Sequence, residues 1–322
     1  MIDLLVIGSG PAGLSCAIEA RRAGLTAIVL EKGSLVDAIR RFPTDLVWFS
    51  TPELLELGDV PFVISTVRPT RVDTLNYYRK VTRHYGIDVR PFDAAVSVGR
   101  EGKGFTVGTA GGAKYEAGAV VVATGYFDHP NRLGVPGEDL PHIVHYYDEP
   151  FRWAGEDVVV IGGRNSAVEA ALDLYRHGAR VTLVHRGPRL SEGVKYWILP
   201  DIENRLKAGE IRGMFRATVR EFRPGSVVVQ GAEGRSELTA RCAYVLTGFL
   251  PDAAQLARFG IQLDPDTRAP IADPATFETG VPGLFVAGSV VAGRDTNRIF
   301  VENGRQHGKV IVSALLARRR IP

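Results

Sequence analysis

The chain has 322 residues, 45% of them hydrophobic, which is enough for two medium α/β domains with cores of their own. Its 39 Lys and Arg against 36 Asp and Glu leave a net charge of +3, too slight to argue for a nucleic-acid partner. No apolar run reaches the length of a transmembrane helix, and the apolar start reads as a strand rather than a signal peptide. Two distant cysteines make no disulfide framework, so a cytoplasmic, reducing setting is expected.

In chain order, the apolar strand Leu4 to Ile7 leads into Gly8-Ser9-Gly10-Pro11-Ala12-Gly13, then into an Ala- and Leu-rich helix. Gly8 makes a tight turn, Gly10 lets backbone approach a pyrophosphate, and Gly13 lets helix and strand pack closely. The helix N-terminus offers free N–H groups and partial positive charge to phosphates. The next strand, Ala27 to Leu30, ends in Glu31, placed to accept hydrogen bonds from ribose hydroxyls. A carboxylate there repels a 2′-phosphate, so this unit suits FAD or NAD. Val120 to Gly125 follows as a buried-looking strand ending in Thr124-Gly125.

A second unit begins with the strand Val158 to Ile161 and the loop Gly162-Gly163-Arg164-Asn165-Ser166-Ala167, opening a helix to about Arg176. Arg164 replaces the middle glycine and adds a cation. The strand Arg180 to Val184 ends in His185-Arg186, with no carboxylate. A guanidinium there can grip a 2′-phosphate, which reads as NADPH. Ala243 to Gly248 repeats the strand ending in Thr-Gly. Leu284 to Ala287 is a further strand, followed by Gly288-Ser289, a polar loop and a helix expected from about Asn297.

Two fingerprints in one chain imply two cofactors held for electron transfer. The expected fold is α/β, with two Rossmann-like domains. A discontinuous FAD domain, residues 1–125 and 249–322, receives an inserted NADPH domain, residues 126–248. Pro/Gly-marked stretches around Pro130 to Gly137 and at Pro251 suit the linkers. Candidate FAD contacts are Gly8, Gly10, Pro11, Ala12, Gly13, Glu31, Lys32, Ala95, Thr124, Gly125, Gly288, Ser289 and Ile299. Candidate NADPH contacts are Gly162, Gly163, Arg164, Asn165, Ser166, His185, Arg186 and Gly248. The seven histidines show no metal-ligand spacing. No Cys-x-x-Cys is present, so an acceptor would meet reduced flavin directly or through a single thiol. Cys242 is expected to pack just before a strand, and the basic run Arg318-Arg319-Arg320 reads as a solvated helix end.

Several segments resemble the YpdA-type bacillithiol-disulfide reductases, thioredoxin-reductase-like flavoproteins. They are Phe42-Pro43 with Trp48-Phe49-Ser50-Thr51; Gly58-Asp59-Val60-Pro61-Phe62; Arg68-Pro69-Thr70-Arg71 with Tyr77-Tyr78-Arg79; Lys195-Tyr196-Trp197-Ile198-Leu199-Pro200; and Ile299-Phe300-Val301-Glu302-Asn303-Gly304. The resemblance implies a homodimer or homotetramer that carries FAD and uses NADPH to reduce a low-molecular-weight thiol disulfide. Family members carry a cysteine, proposed to attack the disulfide, where this chain has Ala12. Cys16 is the nearest thiol, one helical turn deeper, and reads as core more than as nucleophile. Ser289 stands where many relatives of the wider superfamily have an Asp on the flavin ribityl chain. The helix near Asn297 is expected to face the flavin N1/O2 edge.

Some residues support two readings. Arg68, Arg71 and Arg79 suit either an anionic substrate or a solvated helix face; Lys195, Tyr196 and Trp197 suit either contact with cofactor or substrate or, as a lone aromatic pair, packing. Three other functions fit the same fold: a ferredoxin or flavodoxin NADP reductase, a flavin-dependent monooxygenase, and a nucleotide-sensing flavoprotein without turnover. The monooxygenase signature wants a histidine four residues after its glycine, and His142 follows Gly137 by five.

Overall fold

A computed structural model of the chain describes residues 1–319. Residues 320–322 of the expected FAD domain, with Arg320 of the basic run, lie outside the described residues. The chain divides into two units. The first comprises Met1–Arg41, Asp45–His129 and the chain from Phe249 onward, and the second Phe42–Thr44 and Pro130–Gly248.

The first unit opens with β1 (Ile2–Ile7), α1 (Pro11–Arg22), β2 (Ala27–Leu30), α2 (Asp37–Arg40) and α3 (Arg71–His84). The Thr70 hydroxyl accepts the Asp73 N–H while the Asp73 carboxylate accepts the Thr70 N–H, which fixes where α3 begins. Strands β3 (Asp88–Arg90), β4 (Ala95–Glu101), β5 (Gly104–Thr109) and β6 (Lys114–Val122) follow. The sheet order is β3-β2-β1-β6-β5-β4. Strands β1, β2, β3 and β6 pair in parallel, and β4 and β5 join as antiparallel additions. Leu4 to Ile7 and Ala119 to Val122 are continuous apolar runs because both faces of a parallel sheet are covered.

The second unit holds β7 (Ile143–Val144), β8 (Asp157–Ile161), α4 (Asn165–Arg176), β9 (Arg180–His185), α5 (Leu199–Lys207) and β10 (Arg212–Phe215). These precede β11 (Thr218–Arg223), β12 (Ser226–Gly231), β13 (Gly234–Thr239) and β14 (Cys242–Val245). A parallel sheet, β10-β9-β8-β14-β7, forms its centre, and β11-β12-β13 make a separate antiparallel sheet. Ala167, Ala171 and Leu174 of α4 pack on Val158, Val160 and Leu183. The chain then returns to the first unit with α6 (Ala253–Arg258), β15 (Leu284–Val286), α7 (Val301–Gly304) and α8 (His307–Arg319). Strand β15 pairs in parallel with β6.

Several boundaries differ from the sequence reading. The crossing expected after Gly125 falls after His129. Phe127 lies 4.8 Å from Phe249, and His129 is 3.4 Å from Asp252, all within the first unit. Phe42–Thr44 joins the second unit, where the Thr44 N–H donates to the Asp148 carbonyl at 2.8 Å. Pro136-Gly137 is no linker. The Phe222 N–H donates to the Pro136 carbonyl, and a Cβ on Gly137 would overlap the Phe222 carbonyl. Cys242 is the first residue of β14 and does not precede it.

The helix expected from Asn297 starts at Val301 and runs only to Gly304, before α8 takes over at His307. Asn303 sets this start: its Oδ1 accepts the Phe300 N–H at 2.8 Å, and its Nδ2 donates to the Arg298 carbonyl at 2.9 Å. A single turn carries little of the dipole expected of a long helix at that point.

Candidate active site

In the first unit, three loops at the carboxyl ends of β1, β6 and β15 converge. A Cβ on Gly8 (φ 108°) would lie 2.5 Å from the Ala123 carbonyl, and one on Gly13 would overlap the Gly8 carbonyl. A Cβ on Gly288 (φ 75°) would lie 2.7 Å from Ala12 Cβ, and one on Gly125 3.3 Å from Ser289 Oγ. Gly8–Gly13, Thr124–Gly125 and Gly288–Ser289 thus form one rim, the position at which open α/β sheets bind ligands. Gly10 behaves differently: its φ is −65°, and a Cβ there would meet nothing within 4 Å. Backbone strain and crowding within the protein therefore do not demand a glycine at this position. No side chain caps α1, and no acidic residue occupies its first turn. That leaves the positive helix end to an anion.

Glu31 is buried at 7% exposure and is held from three sides. Its Oε2 accepts both the N–H and the hydroxyl of Ser9 at 2.8 Å, and its Oε1 accepts the Gly33 N–H at 2.9 Å. The Ser9 hydroxyl also accepts the Val36 N–H at 3.0 Å. The carboxylate retains lone pairs for ribose hydroxyls. Lys32 is exposed and pairs with Asp128 at 2.8 Å. Ala95 is buried at the start of β4, just after Phe92 and Asp93, whose N–H groups donate to the Gly33 and Glu31 carbonyls. Ile299 is half-buried near Gly304, which in turn lies against Gly288.

Sequence reasoning missed His307, which supports this rim. Its Nδ1 accepts the Gly288 N–H at 3.0 Å, and its ring stacks on Phe277 at 4.0 Å. Burial pulls its pKa down to about 4, so the imidazole stays neutral and remains an acceptor. A lone histidine with Gly308 beside it carries no sequence signal for this role.

The second unit repeats the frame. A Cβ on Gly162 (φ 152°) would lie 2.5 Å from the Leu246 carbonyl and 2.7 Å from Ala167 Cβ. Gly248 (φ 95°) is bound to Asn131, whose N–H donates to the Gly248 carbonyl at 2.8 Å. Arg164 at the middle position has φ −115° and ψ −174°, extended backbone open to any residue. Arg164 and Ser166 are exposed at the start of α4, where no acidic residue stands in the first turn. Asn165 anchors the loop after β9, accepting the Lys195 N–H at 2.8 Å and donating to the Gly193 carbonyl at 3.2 Å. The His185 ring lies so close to Gly163 that any Cβ there would overlap it. Burial, and then the Arg186 charge, lower the pKa of His185.

Both thiols are inaccessible. Cys16 and Cys242 are each 0% exposed, and burial pushes both up to about 12. Neither forms an appreciable thiolate near neutral pH. Tyr196 and Trp197 are not core residues: they are 81% and 41% exposed and meet each other edge-on at 5.0 Å. Lys195 pairs with Glu169 at 2.6 Å. The Arg71 guanidinium donates to the Arg40 carbonyl at 2.8 Å, and Arg79 to Asn76 at 3.5 Å. Among the described residues no group of three or more His, Cys, Asp or Glu could hold a metal ion, and no helix is long and apolar enough to cross a membrane.

Two glycine loops on parallel sheets, one followed by a buried carboxylate and one by an exposed guanidinium, define a two-dinucleotide oxidoreductase. The model of the pyridine nucleotide-disulphide oxidoreductase family matches residues 5–288, and the chain belongs to that family. It is an oxidoreductase that works with FAD and NADPH. The chain is 41% identical to the bacilliredoxin reductase Bdr of Bacillus subtilis over 98% of its length and 97% of that protein. The structure of the bacillithiol disulfide reductase Bdr (YpdA) from Bacillus cereus superposes with a TM-score of 0.96. The two chains are 39% identical, with 98% and 99% of them covered. The bacillithiol disulfide reductase Bdr (YpdA) from Staphylococcus aureus gives 0.95 at 36% identity, with 99% of each chain covered.

Proposed function

We propose that the chain is an NADPH-dependent flavoprotein that reduces the disulfide of a low-molecular-weight thiol, bacillithiol disulfide, to two thiols. One observation carries the direct form of this reaction: Ala12 occupies the fingerprint position, and both cysteines are buried with pKa values near 12. When bound, flavin would supply the redox chemistry between NADPH and the disulfide, the hydride bringing two electrons and one proton and solvent the second proton of the two thiols. The chain's own part is placement and electrostatics. In this reading Gly8, Gly10, Pro11, Ala12 and Gly13 receive the FAD pyrophosphate at the N-terminus of α1, and Glu31 receives ribose hydroxyls. Lys32, Ala95, Thr124, Gly125, Gly288, Ser289 and Ile299 line the remainder. His307 holds the Gly288–Ser289 loop through the Gly288 N–H.

NADPH is received by Gly162, Gly163, Arg164, Asn165 and Ser166 at the start of α4. His185, Arg186 and Gly248 flank it, and Arg186 takes the 2′-phosphate. The names of the Bacillus cereus and Staphylococcus aureus enzymes support the disulfide substrate, the family resemblance suits a homodimer or homotetramer, and the setting is read as cytoplasmic. The two free cysteines suit a reducing compartment.

The test is NADPH oxidation by the purified yellow protein with bacillithiol disulfide, ferredoxin, flavodoxin or oxygen as sole acceptor. Turnover on the disulfide at a rate well above the others is expected. Faster reduction of ferredoxin or flavodoxin would replace this reading with an electron-transfer reductase.

A further inference from the structure

Arg216, the first residue after β10, has a left-handed conformation, φ 52°, that glycine or asparagine adopts more readily than arginine. Strained backbone of this kind invites a functional explanation, and its neighbours supply one. Strand β10 runs parallel to β9 with Phe215 opposite His185, so the next residues in line are Arg216 and Arg186. The left-handed turn keeps the two strand ends joined. The Arg216 N–H donates to the Gly187 carbonyl at 2.8 Å, and the Ala217 N–H to the His185 carbonyl at 3.1 Å. The backbone of Arg216 is thereby pinned across from Arg186, at the strand end that follows the second fingerprint.

The charges at this place are unbalanced. Arg189 is paired with Glu192 at 2.5 Å and Lys195 with Glu169 at 2.6 Å. Arg186 and Arg216 are both exposed, and neither makes an ion pair among the described residues. Two guanidiniums on adjacent chain segments repel each other unless an anion lies between them. A dianionic phosphate accepts several charge-assisted hydrogen bonds and suits a two-armed clamp.

We propose that Arg216 is a specificity-determining residue, gripping the 2′-phosphate of NADPH together with Arg186. This rests on the NADPH reading of the second unit and adds to it a residue remote in sequence from the fingerprint. Isothermal titration of the flavin-loaded protein with 2′,5′-ADP and with 5′-AMP tests it, alongside thermal melting. Arg216→Gly should weaken 2′,5′-ADP binding about tenfold and leave 5′-AMP within about twofold. Its Tm should not fall, because glycine relaxes the left-handed turn. Arg216→Lys should recover part of the 2′,5′-ADP affinity. Unchanged 2′,5′-ADP affinity in Arg216→Gly, with affinity lost in Arg186→Ala, would overturn the role of Arg216 alone. Equal losses for both nucleotides would also overturn it, by making the residue structural. A wild-type protein without preference for 2′,5′-ADP would overturn the NADPH reading and this inference with it.

Discussion

In the first unit a Cβ on the leading glycine would meet the Ala123 carbonyl at 2.5 Å; in the second, the Leu246 carbonyl at the same distance. The frames match because both must bring a loop against the end of a neighbouring parallel strand. They diverge where a ligand would be read. The first unit leaves Gly10 facing open space and places a buried carboxylate, Glu31, after β2. The second places Arg164 at the middle position and Arg186 after β9. Steric requirements therefore fix the shared glycines, while in the proposed reading charge at the second strand end separates the two nucleotides.

The sharpest way to break this comparison is to damage each frame separately. Gly13→Ala should cost about 2–4 kcal/mol and yield colourless protein, because its Cβ would overlap the Gly8 carbonyl. Gly162→Ala should stay yellow but lose its reduction by NADPH. Absorbance after gel filtration and an anaerobic NADPH titration separate the two outcomes. If both variants lose flavin, the units do not act independently.

The units also differ in their buried titratable support. His307 has a pKa near 4 in the folded chain against an ordinary 6.5, so the unfolded chain binds its proton first on acidification. The stability it confers is present above pH 6.5 and is lost as pH falls toward 4, by up to about 3 kcal/mol. Urea unfolding at several pH values should show this slope. His307→Leu should flatten it while lowering stability at neutral pH, since the Gly288 N–H loses its acceptor.

Smaller effects sharpen the charge argument. Arg186→Ala should raise KM for NADPH on the order of 10- to 100-fold and change that for NADH little, as steady-state kinetics would report. Glu31→Gln should weaken FAD retention about tenfold in equilibrium dialysis while leaving NADPH affinity unchanged.

Both glycine loops, their strands and the acid–base contrast at Glu31 and Arg186 were legible in the sequence, because each is a local pattern with a local cause. Contacts made across the fold were not. His307 meets Gly288 only after α7 and α8 fold back, and Arg216 lies far along the chain from the loop it abuts. The start of α7 is hidden from the sequence because Asn303 caps backwards onto Phe300, a choice that no periodicity announces. Between the two readings of Tyr196 and Trp197 the sequence gives no choice, because an aromatic pair looks like core until its exposure is known.

In the proposed reaction electrons reach the disulfide without a protein thiol. The direct test is a Cys16→Ala/Cys242→Ala double variant, reduced anaerobically with one equivalent of NADPH and mixed with bacillithiol disulfide while flavin absorbance is followed. Reoxidation at the wild-type rate is expected. Wild-type protein that reoxidises beside a double variant that stays reduced would contradict it and return the step to a thiol.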